Sequence, residues 1–278
     1  MGKGISLHVG LNAVDPKHYQ GWSGELAACE MDANDMAMIA EASGFGATVL
    51  LTQGASRQAV TNVLENAAAA LEAGDIFFLT YSGHGGQVPD TDGDEPDGLD
   101  ETWCLFDGEF VDDEIYYFIG RFAAGVRLLI LSDSCHSGSV IKDMALMQAI
   151  DDATKKDSTR YRAMPPEVAQ RTYLANRAFY DGIGNDPRFR NSRADVKASA
   201  LLISGCQDNQ LSADGAFNGR FTGTLKLVWN GGKFDGDYQK FHSAIVRRMP
   251  RDQTPNYFFV GEPNPAFELE RPFTINPR

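Results

Sequence analysis

Six short apolar runs punctuate the chain: residues 5–11 (ISLHVGL), 47–52 (ATVLLT), 75–82 (DIFFLTYS), 126–133 (VRLLILSD), 200–206 (ALLISGC) and 256–262 (NYFFVGE). Most are nearly continuous rather than alternating, the pattern of strands buried on both faces. Between them lie stretches with helical spacing, at 24–44, 56–75 and 112–125. The first ends in Gly44, and the second opens on Ser56 as a helix cap and closes beside Gly74. Strands alternating with helices predict an α/β fold around a mostly parallel central sheet with right-handed crossovers.

Two stretches break this rhythm. Residues 86–101 (GQVPDTDGDEPDGLDE) form an acidic loop. Residues 151–197 are charged, carry the adjacent prolines Pro165 and Pro166, and show little periodicity beyond a helical stretch at 165–179. We read them as an insertion or linker between a front part, 1–150, and a back part, 198–278.

Composition narrows the classes. With 278 residues the chain can bury a sizeable core. No run is long enough to span a bilayer, and the opening MGKGISLHVGLN reads as a strand rather than a leader, so a cytoplasmic protein is expected. The net charge of −13 argues against a nucleic-acid partner. Four scattered cysteines suit neither a disulfide framework nor zinc.

The chemistry lies where two strands run out. DIFFLTYS leads into Gly83-His84-Gly85-Gly86, and VRLLILSD into Ser134-Cys135-His136. In open α/β sheets ligands bind at the carboxyl ends of the strands. If these two strands are neighbours, His84 and Cys135 face one crevice. A thiol is mostly protonated at neutral pH, and a nearby imidazole can take its proton and later protonate a leaving amine. The Gly85 and Cys135 amides could together hold an oxyanion. Successive strand residues point to opposite sides, so His136 is worse placed than His84 as the base. Against this stands the bland reading, a cysteine packed as a small hydrophobe, which suits Cys29, Cys104 and Cys206; a structural or surface place suits His8, His18 and His242.

FLTYSGHGGQ, followed about fifty residues later by LLILSDSCHSGS, resembles the caspase-like cysteine peptidases, in particular the metacaspase and bacterial orthocaspase branch. ELAACEMDANDMAMIAEASGF and LLISGCQDNQLSAD resemble further segments of that group, and the matches run from about residue 4 to 225. The resemblance implies a caspase-haemoglobinase fold, with 1–150 as a large-subunit-like region and 198–278 as a small-subunit-like region of one catalytic domain. It implies Cys135 as nucleophile, His84 as acid/base, and cleavage of proteins or peptides after arginine or lysine, in a pocket formed by Cys29, Asp32, Ser82 and Asp133. Aspartates at the floor of a cleft select a cation by charge and by hydrogen bonds.

The acidic loop fails as an EF-hand, because Glu95 stands where the turn glycine belongs. The resemblance nonetheless implies calcium, at positions matching Asp100, Asp112 and Asp113. A fourth ligand falls where this chain has Lys142, with Asp143 next to it. Relatives of this kind cut themselves between the two parts, and the linker offers Lys155, Lys156, Arg160, Arg162, Arg171, Arg177, Arg188, Arg190 and Arg193. The resemblance also implies a monomer. The rival expectations are a caspase-type enzyme cutting after aspartate and a non-catalytic scaffold, against which both His84 and Cys135 are present.

Overall fold

The computed structural model describes residues 2–91, 93, 95, 97–135, 160–190, 192–206 and 210–276. Strands β1 (Gly4–Gly10), β2 (Gly46–Leu51), β3 (Ile76–Ser82), β7 (Arg127–Asp133), β8 (Ser199–Ser204) and β9 (Asn256–Gly261) form one sheet in the order β2-β1-β3-β7-β8-β9. All pairings are parallel except β8 with β9. Every residue of β3 and β7 is buried, as their unbroken apolar runs require.

Helices α2 (Arg57–Ala70) and α3 (Asp112–Gly120) cover one face, over a core that includes Phe77, Leu79, Leu128 and Ile130. Helix α1 (Cys29–Ala42) lies on the other with α6 (Arg220–Trp229) and α7 (Tyr238–Val246), over Phe78, Leu129, Leu131 and Leu201. Ser56 caps α2, its hydroxyl accepting from the Ala59 amide. Helix α1 starts five residues later than the spacing suggests. Ala28 offers no side-chain cap, and Asn12, from the loop after β1, accepts the Cys29 and Glu30 amides instead.

The acidic stretch is not all loop. β4 (Gly85–Pro89), β5 (Leu99–Leu105) and β6 (Gly108–Val111) make a small antiparallel sheet, with the acidic turn between β4 and β5. The expected helix at 165–179 is two helices, α4 (Pro166–Ala175) and α5 (Arg177–Gly184), broken at Asn176. The described part of 151–197 packs on the domain through Met164, Val168, Tyr180 and Phe189. Among the described residues no helix is long and apolar enough to cross a membrane.

Candidate active site

The register of β3 against β7 pairs Ser82 with Asp133. His84 and Cys135 each follow two residues later, so they leave the sheet at the same level, over the carboxyl ends of adjacent strands. Cys135 is fully buried. Its sulfur is in short contact with the Ser212 amide and lies 3.6 Å from the Ser212 carbonyl. His84 Nε2 lies 2.9 Å from the Gly24 carbonyl, which fixes the proton on Nε2. Nδ1, the remaining base, is buried without a hydrogen-bond partner among the described residues. Burial lowers the His84 pKa to about 4, opposed by the Gly24 carbonyl, so the ring is neutral. The Trp22 ring packs 4.7 Å from the imidazole. Gly24 has φ +53°, and a Cβ there would lie 2.7 Å from Trp22 and 3.0 Å from His84, so the carbonyl that orients the histidine needs a glycine.

A piece of the chain itself fills the crevice. Residues 160–164 run extended between the edge of β4 and the segment 212–214. The Arg162 amide donates to the Ser212 carbonyl at 3.0 Å, and the Asp214 amide donates to the Arg160 carbonyl at 2.8 Å. On the other side the Met164 amide donates to the Gly85 carbonyl at 2.7 Å. The Arg162 carbonyl accepts from two amides, Gly85 at 3.0 Å and Cys135 at 3.1 Å. These are the two donors that sequence reasoning assigned to an oxyanion.

The Arg162 side chain has no solvent exposure. Its Nη2 lies 2.7 Å from Asp32 and 2.9 Å from Asp214, and its Nη1 lies 3.0 Å from the Asp133 carboxylate and 2.8 Å from Ser82 Oγ. The carboxylates are themselves pinned. Asp133 accepts from Ser212 Oγ at 2.7 Å and from Thr222 Oγ1 and N, in the first turn of α6. Asp32 accepts from Ser82 Oγ, Asn218 and the Gly219 amide. Burial raises the Asp32 pKa to about 6, against the pull of Arg162. Cys29 lines the same place, its thiol pushed up to about 12 by burial.

The four expected pocket residues are thus brought together around a guanidinium. Sequence reasoning missed Asp214, which lies 81 positions beyond Asp133 with no local pattern to mark it. It named Arg162 as one candidate self-cleavage site among several, and not as the occupant of the pocket.

A second acidic group lies near β7. Glu95, Glu101 and Asp112 can bring one oxygen each within 4.8 Å of one another. They line a cavity of about 410 Å³ with Arg193, Ser132 and Trp103. Asp112 is held well above the usual carboxylate range by burial and by repulsion from Glu101, Asp100, Asp113 and Glu95. Of the expected ligands, Asp112 is central. Asp100 and Asp113 are buried beside it, Asp113 taking a bond from Ser192, and Asp143 lies outside the described residues. Burial and repulsion between like charges are what an oxygen-bound divalent ion relieves.

Residues 13–269 match the family model of the caspase domain. The chain is 32% identical to Metacaspase-1 of Cryptococcus neoformans over 262 residues, covering 82% of this chain and 55% of that protein. To Metacaspase-1 of Schizosaccharomyces pombe it is 30% identical over 258 residues, covering 82% and 59%. It therefore spans little more than half the length of these curated relatives. A crystal structure of a Geobacter sulfurreducens protein superposes with a TM-score of 0.89 at 61% identity, over 99% of this chain and all of the other. Caspase-1 of Spodoptera frugiperda superposes at 0.56 and 11% identity, over 94% and 86%, and shares the fold.

Proposed function

Since the chain belongs to the caspase-domain family of cysteine-type peptidases, in its metacaspase-like part, we propose that it is an endopeptidase cleaving after arginine or lysine. In this reading the intact chain is its own first substrate, at Arg162–Ala163. One observation carries it: the buried Arg162 guanidinium lies among Asp32, Asp133 and Asp214, while its carbonyl accepts from the Gly85 and Cys135 amides.

The chemistry follows from that placement. Cys135 Sγ gives up its contact with Ser212, loses its proton to His84 Nδ1 and attacks the arginine carbonyl carbon. The developing oxyanion keeps the two amide donors that already hold the carbonyl oxygen. His84 then returns the proton to the leaving nitrogen, that of Ala163 in the first turnover. Water, deprotonated by His84, hydrolyses the thioester and frees Cys135. Cleavage at Arg162 separates the front part from the back part, and the product acts on protein or peptide substrates as a monomer.

Cleavage after aspartate is disfavoured by charge, since an aspartate would add a fourth anion to three buried carboxylates. Against the non-catalytic scaffold reading count His84 and Cys135, which leave adjacent strands at the same level, and the Gly85 and Cys135 amides on the Arg162 carbonyl. For calcium, Glu95, Glu101 and Asp112 would hold the ion with Asp100 and Asp113 behind them. It would supply charge neutralisation close to the strand that carries Cys135.

The deciding experiment is hydrolysis of matched fluorogenic peptides ending in arginine, lysine or aspartate, with calcium and with chelator, using Cys135→Ala as blank. Arginine or lysine cleavage lost in the variant supports the proposal. Cleavage confined to aspartate overturns the pocket. Equal rates with calcium and chelator remove calcium from the reading.

A further inference from the structure

Met164 is two residues beyond Arg162, on the same side of the extended segment. Its side chain is 2% exposed and packs with Val14, Tyr19 and Cys104, with Trp22 against their edge. The Met164 amide donates to the Gly85 carbonyl, the residue whose own amide holds the Arg162 carbonyl. The position two past the cleaved bond is therefore tied to the catalytic loop by backbone and buried by side chain. The space is built for this occupant. A Cβ added to Gly86 would lie 2.6 Å from Met164 Cε, so glycine leaves the room that the methionine fills. Tyr19 is spent on a bond to the Leu105 carbonyl, and Thr102 Oγ1, which with Glu109 also borders Gly86, donates to the Glu109 carboxylate.

We infer that Val14, Tyr19, Trp22, Cys104 and Gly86 form an apolar subsite that reads the second residue after the cleaved bond. It favours a long, unbranched or γ-branched apolar side chain such as methionine or leucine. The inference rests on the proposed cleavage after arginine and extends it to the leaving side of the substrate. Ala163, between the two buried side chains, is half-buried, so recognition takes the form of a basic residue, a small residue, then a large apolar one. Trp22 touches both this subsite and the His84 ring, which places the subsite against the catalytic base.

The test uses the full-length enzyme and internally quenched peptides of the form Arg-Tyr-Arg-Ala-X-Pro, with X as Met, Leu, Gly or Asp. Burying a side chain of this size predicts kcat/KM at least roughly tenfold higher for Met and Leu than for Gly and Asp. In the chain itself, Met164→Leu should keep the self-cleavage rate and Met164→Asp should slow it by a similar factor. Circular dichroism melts monitor folding of both variants. Cleavage of all four peptides after arginine at equal kcat/KM would overturn the subsite and leave the arginine pocket standing. Failure to cleave any of them after arginine would remove the pocket and the subsite together.

Discussion

Arg162 and Asp133 meet twice: the guanidinium Nη1 lies 3.0 Å from the Asp133 carboxylate and 3.1 Å from its main-chain carbonyl. Asp133 is the last residue of the strand that delivers Cys135, two positions on. The depth at which the arginine is held and the position of Cys135 are set by one piece of backbone.

Removing the arginine strands three buried carboxylates. Breaking a buried ion pair from one side costs about 3–5 kcal/mol. Arg162→Ala should therefore lower the thermal midpoint and abolish cleavage at this bond. Free arginine or benzamidine, entering the vacated pocket, should restore part of the midpoint in a thermal-shift assay. A variant as stable as the parent and indifferent to both ligands would count against the pocket.

The pocket carboxylates should separate by their roles. Asp133→Asn keeps its shape but removes the charge that faces the guanidinium, and kcat/KM on arginyl peptides should fall by about 100-fold. Asp214→Asn, whose other oxygen is taken by the Ala27 amide, should cost about tenfold. Circular dichroism melts distinguish lost charge from lost fold.

His84 works as a base only when neutral, so activity falls as pH drops through its pKa. In the closed chain burial lowers that pKa to about 4. Once residues 160–164 leave and water reaches the ring, it should return toward the ordinary value near 6.5. Self-cleavage should thus persist to lower pH than hydrolysis of added peptides. Rates of both between pH 3.5 and 8 would show two separated acid limbs; coincident limbs would refute the difference.

Glu109, beside Gly86, supplies a stability prediction. It is fully buried, with Oε2 accepting from Thr102 at 2.6 Å and Oε1 without a hydrogen-bond partner among the described residues. Burial raises its pKa from an ordinary 4.5 to about 7. The folded state holds this proton more tightly than the unfolded one. Its stabilisation is complete below pH 4.5 and is lost as pH rises to about 7, by on the order of 3 kcal/mol. Glu109→Gln should flatten that stretch of the stability-pH curve in urea titrations.

What could be read beforehand divides along physical lines. β3 and β7 were legible because strands buried on both faces leave unbroken apolar runs, and their ends delivered His84 and Cys135. Ser56 marked its helix because capping is local. The β4–β6 sheet was not legible, being glycine-rich, short and partly acidic. In the acidic group Glu95 and Glu101 stand with the expected Asp112, a grouping across the fold that no local pattern marks. Asp214 was hidden, and Arg162 did not stand out from the other basic residues of its segment, because nothing in their sequence neighbours depends on the contact they make across the fold.

The extended segment 160–164 lies as a strand between β4 and residues 212–214, bonded to both. Without it, two rows of main-chain donors and acceptors face each other across an empty lane one strand wide. A protein can enter that lane only by surrendering about five consecutive residues from whatever helix or sheet they occupied. Under the proposed cleavage after basic residues, arginines on well-folded surfaces would be refused however good their side chains, and targets would be told apart by how readily a basic stretch comes loose.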